Sequence, residues 1–70
     1  MEANYNKDNF TEYIGKKWEE EVTETDLRTK GDFTSLRVLG EGDPMTRDFR
    51  PSRLNVFLDG DKVITNFSYV

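Results

Sequence analysis

A chain of 70 residues makes one small domain, and a domain near this size hides only about 60% of the surface that its unfolded chain exposes. Hydrophobic and charged residues each make up 34% of it, a balance open to disorder, but five Phe, three Tyr and one Trp supply large apolar surfaces to pack. Fourteen acidic residues against ten basic ones leave a net charge of −4, which argues against nucleic acid or an anionic membrane as the main partner.

In chain order, residues 1–9 are polar, rich in Asn and without periodicity. They predict a flexible leader over residues 1–12, with at most Tyr5 touching the body, and a single folded domain over residues 13–70. From Trp18 the spacing predicts a helix to about Thr29: Trp18 and Val22 are four apart, Glu19 to Glu21 sit where the helix dipole favours anions, and Gly31 follows as a stop. Phe33 to Leu39 reads as a strand, with Leu36 and Val38 alternating against Ser35 and Arg37. Gly40, Gly42, Asp43 and Pro44 end that strand, and nothing from Glu41 to Ser52 has a strand or helix period, so a long loop is expected there.

The next strand has the strongest pattern in the chain. Leu54, Val56 and Leu58 share one face, while Arg53, Asn55 and Phe57 share the other. Asp59-Gly60-Asp61 is a turn signal, after which Lys62 to Val70 can return as an antiparallel strand. A loop of this length can join its flanking strands in parallel. The expected architecture is α+β: one α-helix packed on a small mixed sheet, with a long exposed loop between two parallel strands.

The chemistry missing from the chain narrows its function. It has no Cys and no His, so neither a disulfide, a zinc site of the usual ligands, nor a Ser-His or Cys-His nucleophile system can be assembled. No enzyme activity, metal or cofactor is expected. The carboxylates of Glu19 to Glu24 read as a solvated helix face, because so small a chain offers no cleft in which to desolvate them. Asp59-Gly60-Asp61-Lys62 opens like a calcium loop but fails at its fifth position with Val63, and Gly40-Glu41-Gly42 lacks the Lys of a phosphate cradle. No apolar run is long enough to span a membrane and no basic-then-apolar leader is visible, which suggests a mature form or a protein that is not exported. The compartment is left open, with an extracellular setting favoured.

Arg47, Arg50 and Arg53 fall at a spacing of three on an otherwise acidic protein. Surface arginines making weak ion pairs would account for them. The wording around them adds a second reading. Gly42 to Asp59 closely resembles the reactive loop and following strand of the potato inhibitor I family of serine protease inhibitors and its microbial relatives. The pattern is Gly42, a Thr at 46, a variable residue at 47, an acid at 48, an aromatic at 49, Arg50, Arg53, and an apolar-alternating strand ending in Asp59. Tyr13-Ile14-Gly15-Lys16 resembles the segment that precedes the helix in that family, so the likeness runs with gaps from Tyr13 to Asn66. Lys17 departs from it, standing where the family often has a capping Ser, and the usual C-terminal Gly is missing.

The resemblance implies a monomeric inhibitor whose loop, Pro44, Met45, Thr46, Arg47, Asp48, Phe49 and Arg50, enters a protease as a slowly cleaved substrate. Arg47-Asp48 would be the reactive bond. Arg47 would select trypsin-like targets, which place an Asp at the base of the specificity pocket, with subtilisin-like proteases as secondary ones. Arg53 and Asn55 would support the loop from below. Many plant members carry a second Arg at the position of Asn55, and microbial relatives tend to have Asn. Trp18, Leu54, Val56 and Leu58 would form the core beneath. Two other readings stay open: a small interaction module that uses the same loop without inhibiting anything, and a register in which Met45 fills the pocket.

Overall fold

The central strand, β2 (Arg53–Leu58), lies between β1 (Ser35–Leu39) and β3 (Ile64–Tyr69) in the computed structural model, which describes residues 5–43 and 51–69. The first pair is parallel, running from Ser35 beside Arg53 to Leu39 beside Phe57. The second is antiparallel, with Leu54 beside Tyr69 and Val56 beside Phe67, and its register shifts at Phe57 and Leu58. The order β1-β2-β3 gives the mixed sheet expected from the alternating pattern, with one short helix, α1 (Glu24–Arg28).

Strand alternation divides the sheet into two unlike faces. Leu54, Val56, Leu58, Ile64 and Phe67 are buried against Trp18, Val22, Leu27 and Phe33. The expected core residues Trp18, Leu54, Val56 and Leu58 all belong to this cluster.

Two expected elements differ from the structure. The helix predicted to start at Lys17 or Trp18 begins at Glu24, with Thr23 as its N-cap. Before it, Lys17 to Val22 form a tight turn in which the Glu19 N–H donates to the Val22 carbonyl at 2.7 Å and Glu19 takes a left-handed φ of 68°. The spacing of Trp18 and Val22 that reads as helical instead brings the two together across this turn, where they bridge. The turn is held to the sheet, since the Trp18 N–H donates to the Lys62 carbonyl and the Gly15 N–H to that of Ile64. The true helix start is marked by Thr23-Glu24-Thr25-Asp26: the Asp26 carboxylate accepts from the Thr23 N–H at 2.9 Å, offsetting orphan donors at the first turn.

The second difference concerns the expected leader over residues 1–12. Within it, Lys7–Tyr13 wind into a 3-10 helix capped by the Asn6 side chain, and Phe10 is fully buried. A lone apolar residue among polar ones has no period to reveal it. Phe10 is the aromatic hub of the core, with ring centroids 5.3 Å from Phe67 and 6.4 Å from both Phe33 and Tyr69. Gly31 makes room for it: a Cβ there would sit 2.8 Å from the Phe10 ring.

The hairpin between β2 and β3 is built by one side chain. Asp59 Oδ1 accepts from the N–H groups of Asp61 and Val63 at 2.8 and 3.0 Å, while Lys62 takes the left-handed position with φ 63°. The expectation of a plain turn holds here.

Phe10→Ala is expected to destabilise the fold by about 3–5 kcal/mol through lost burial and a cavity, and Gly31→Ala by about 1–3 kcal/mol through overpacking, both read from denaturant midpoints. Tyr69 predicts an alkaline limit. Its hydroxyl donates to the Asp32 carbonyl at 2.7 Å, and burial first, then the Asp32 carboxylate and Tyr5, push its pKa up to about 12. Because the folded value exceeds the unfolded one near 10, the folded state holds the proton longer, so this stability is full below pH of about 10 and is lost toward pH of about 12. Stability measured across that window should fall less steeply in Tyr69→Phe than in the wild type.

Candidate functional site

The sheet face turned away from the core carries the residues that sequence singled out. Arg53 and Asn55 alternate with the core-facing Leu54 and Val56, so they point to the other side. That face would be expected to meet water, yet Arg53 is 8% exposed and Asn55 is 0% exposed. Burying a guanidinium and an amide is costly unless both are engaged, and neither lacks a partner.

Register extends the polar face across all three strands. In-line neighbours in a ladder project to the same side, so Ser35 accompanies Arg53, while Arg37 and Ser68 flank Asn55. The Asn55 Nδ2 donates to Ser68 Oγ at 3.5 Å, a long bond at the limit of the range. Leu39 and Phe57 pair at the far end of the face. Leu39 is 3% exposed although it stands outside the apolar core cluster.

The two ends of the connection between β1 and β2 are tied down by hydrogen bonds. At its start, Gly40 to Asp43 form a turn closed by the Asp43 N–H on the Gly40 carbonyl at 3.1 Å, with Gly42 at φ 86° as this type of turn requires. The Asp43 carboxylate accepts in return from the Gly40 N–H at 2.8 Å. Gly40-Glu41-Gly42 thus terminates a strand, as expected, and the Glu41 carboxylate approaches the hairpin turn at Gly60. At the other end, the Thr34 N–H donates to the Ser52 carbonyl at 2.9 Å and the two hydroxyls lie 2.8 Å apart.

Of the residues predicted to form the site, Arg53 and Asn55 are brought together on one buried face. Pro44, Met45, Thr46, Arg47, Asp48, Phe49 and Arg50 lie outside the described residues. Ser68 and Arg37 were missed because strand pairing alone places them beside Asn55; along the chain they are ordinary alternating polar residues.

The described residues contain no cluster of three or more His, Cys, Asp or Glu that could hold a metal ion. A shallow cleft of about 210 Å³ lies between the 3-10 helix and β3, lined by Lys7, Asp8, Thr11, Ile14, Asn66 and Phe67. No helix among the described residues is long and apolar enough to cross a membrane.

Comparison with known proteins gives the arrangement a context. The model of the peptidase inhibitor I78 family matches residues 6–68. The chain is similar in structure to the elastase inhibitor AFUEI, with a TM-score of 0.63 and 25% sequence identity over 84% of this chain and 79% of that one. Among curated proteins, none matches it. The family match begins at Asn6 and so includes Phe10.

If the Asn55 amide belongs to a closed polar network, Asn55→Leu should cost about 1–3 kcal/mol despite the similar size and greater hydrophobicity of Leu. Chemical denaturation would measure this cost. A gain in stability would mean that the amide is dispensable.

Proposed function

Because the chain belongs to the peptidase inhibitor I78 family and is therefore an inhibitor rather than an enzyme, we propose that it inhibits serine proteases by presenting Pro44 to Arg50 as a slowly cleaved substrate. The observation that carries this reading is the burial of Arg53 and Asn55 on the sheet face opposite the core, directly after that segment. An inhibitor of this kind must keep the segment in place after attack, so that the severed amine stays over the acyl carbonyl and religation competes with water. There is no disulfide to do so. Charge-assisted hydrogen bonds from a buried guanidinium suit the task.

The reactive bond in this proposal is Arg47-Asp48. Its support is the wording of Gly42 to Asp59, which resembles the potato inhibitor I pattern, together with a parallel connection tethered at Asp43 and Ser52. Pro44, Met45 and Thr46 lie on the acyl side, and Phe49 and Arg50 on the leaving side. Arg50 is a poor alternative to Arg47, because Pro51 follows it and removes the amide N–H beside that bond. Arg47 favours trypsin-like proteases, whose pocket offers a buried Asp, with subtilisin-like enzymes as secondary targets.

A second reading has its own observation. The structural neighbour is an elastase inhibitor, and elastases have a small specificity pocket that suits an apolar side chain better than Arg. In that case Met45, with the bond shifted by two residues, becomes the anchor.

Titration against trypsin, chymotrypsin, elastase and subtilisin separates the two. Trypsin activity should fall to near zero at stoichiometric inhibitor, and Arg47→Asp should abolish the effect. If Arg47→Met leaves trypsin inhibition unchanged, or the wild type inhibits elastase alone, the assignment of Arg47 is wrong. Rapid and complete digestion at Arg47 would mean a non-inhibitory interaction module instead.

A further inference from the structure

Resting on that reading, we propose that Thr34 is a positioning residue for inhibition: through Ser52 it ties the exit of the β1–β2 connection to the body of the protein. Thr34 and Ser52 are 18 residues apart in sequence and meet just outside the sheet, one residue before the first in-line pair, Ser35 beside Arg53. Backbone and side chain both join them. The Thr34 N–H donates to the Ser52 carbonyl at 2.9 Å, the Thr34 hydroxyl donates to the same carbonyl at 3.3 Å, and the two hydroxyls lie 2.8 Å apart. With Thr34 giving its proton to the carbonyl, Ser52 gives its own to Thr34 Oγ1, so each hydroxyl donates once.

A tether is only as firm as its anchor. Residues 32–34 lie outside helix and strand, yet they are held from several sides. The Tyr69 hydroxyl donates to the Asp32 carbonyl at 2.7 Å, and Arg28 Nη1 donates to the Phe33 carbonyl at 3.3 Å. The Phe33 side chain is buried in the core cluster, with the Arg28 guanidinium 4.3 Å from its ring centroid. Helix α1, strand β3 and the core thus converge on the two residues that precede Thr34.

The entry to the connection is built differently. Gly40 and Asp43 bond to each other within one turn, at 3.1 and 2.8 Å, which shapes the entry locally. The exit is fastened to a distant part of the chain. Cutting Arg47-Asp48 would put the new amine on the piece that runs on through Ser52 into β2. Religation competes with water only while that amine stays close to the acyl carbonyl. The end that has to be held is the end that Thr34 holds.

Thr34→Val removes the hydroxyl and keeps the branched shape, and Thr34→Ser restores the hydroxyl. Thr65→Val is the control, because the Thr65 hydroxyl is also exposed and donates to the Phe57 carbonyl at 3.2 Å, away from the connection. With a trace of trypsin, the equilibrium ratio of cleaved to intact chain should rise about fivefold in Thr34→Val, as expected for loss of one exposed hydrogen bond. It should return toward the wild-type value in Thr34→Ser and stay unchanged in Thr65→Val. A second readout needs no protease. In Ser52→Ala the Thr34 amide should exchange with solvent about fivefold faster, while the Ile64 amide, which donates to the Lys16 carbonyl at 2.9 Å, keeps its rate. An unchanged ratio in Thr34→Val or an unchanged Thr34 amide in Ser52→Ala would overturn the proposal. So would equal changes in Thr65→Val or in both amides, which would mean a general loss of stability. A wild type that inhibits no protease while the Thr34 amide still answers to Ser52 would refute the inhibitor reading and leave the tether standing.

Discussion

The parallel pairing of β1 with β2 is the constraint on which the rest of the molecule depends. It runs from Ser35 beside Arg53 to Leu39 beside Phe57, and it forces the chain between them to return from one end of the sheet to the other. Such a return is most often made by a helix. Here the connection spans residues 40–52, and its described ends are held by the Gly40–Asp43 turn and by Thr34 on Ser52. The same pairing decides which side chains share a face. Leu54 and Val56 go to the core, and Arg53, Asn55 and Arg37 go to the opposite side.

A sheet with a polar floor on one side has only its other face on which to build an apolar core. In a chain of this size that core needs every aromatic it can recruit. Phe10 comes from a 3-10 helix near the N-terminus, Trp18 and Val22 from a tight turn bridged to the hairpin, and Leu27 from one and a half turns of helix. None of these elements would be stable by itself. Their shared burial on the face of β2 and β3 makes them cooperative, and it leaves the other face to Arg53 and Asn55.

How far the sequence could be read follows from how local each signal was. β2 and β3 were legible because polar and apolar residues alternate there and an Asp-Gly-Asp turn lies between them. The parallel partner β1 was legible from its pattern together with the length of the intervening segment. The α-helix was misplaced because Trp18 and Val22, four residues apart, meet just as well across a turn, and the Thr23–Asp26 capping box was passed over. Phe10 was hidden because a single buried residue has no periodicity. The buried side chains of Arg53 and Asn55 were legible as a pair on one face of a strand; Arg37 and Ser68 became visible only through register.

Membership of the peptidase inhibitor I78 family makes the protein an inhibitor, and the buried Arg53 and Asn55 are the proposed support of its loop. Specificity and persistence are then separate properties. In the function proposed for it, Arg47 would choose the enzyme, while Arg53 and Asn55 would hold the cut ends together. The most direct measurement starts from chain already cleaved at Arg47-Asp48 and adds a trace of trypsin, following intact and cleaved forms by mass spectrometry. The account predicts that the bond is remade and that the same mixture is reached from either direction. Conversion of all material to the cleaved form, with no intact chain regained, would contradict it.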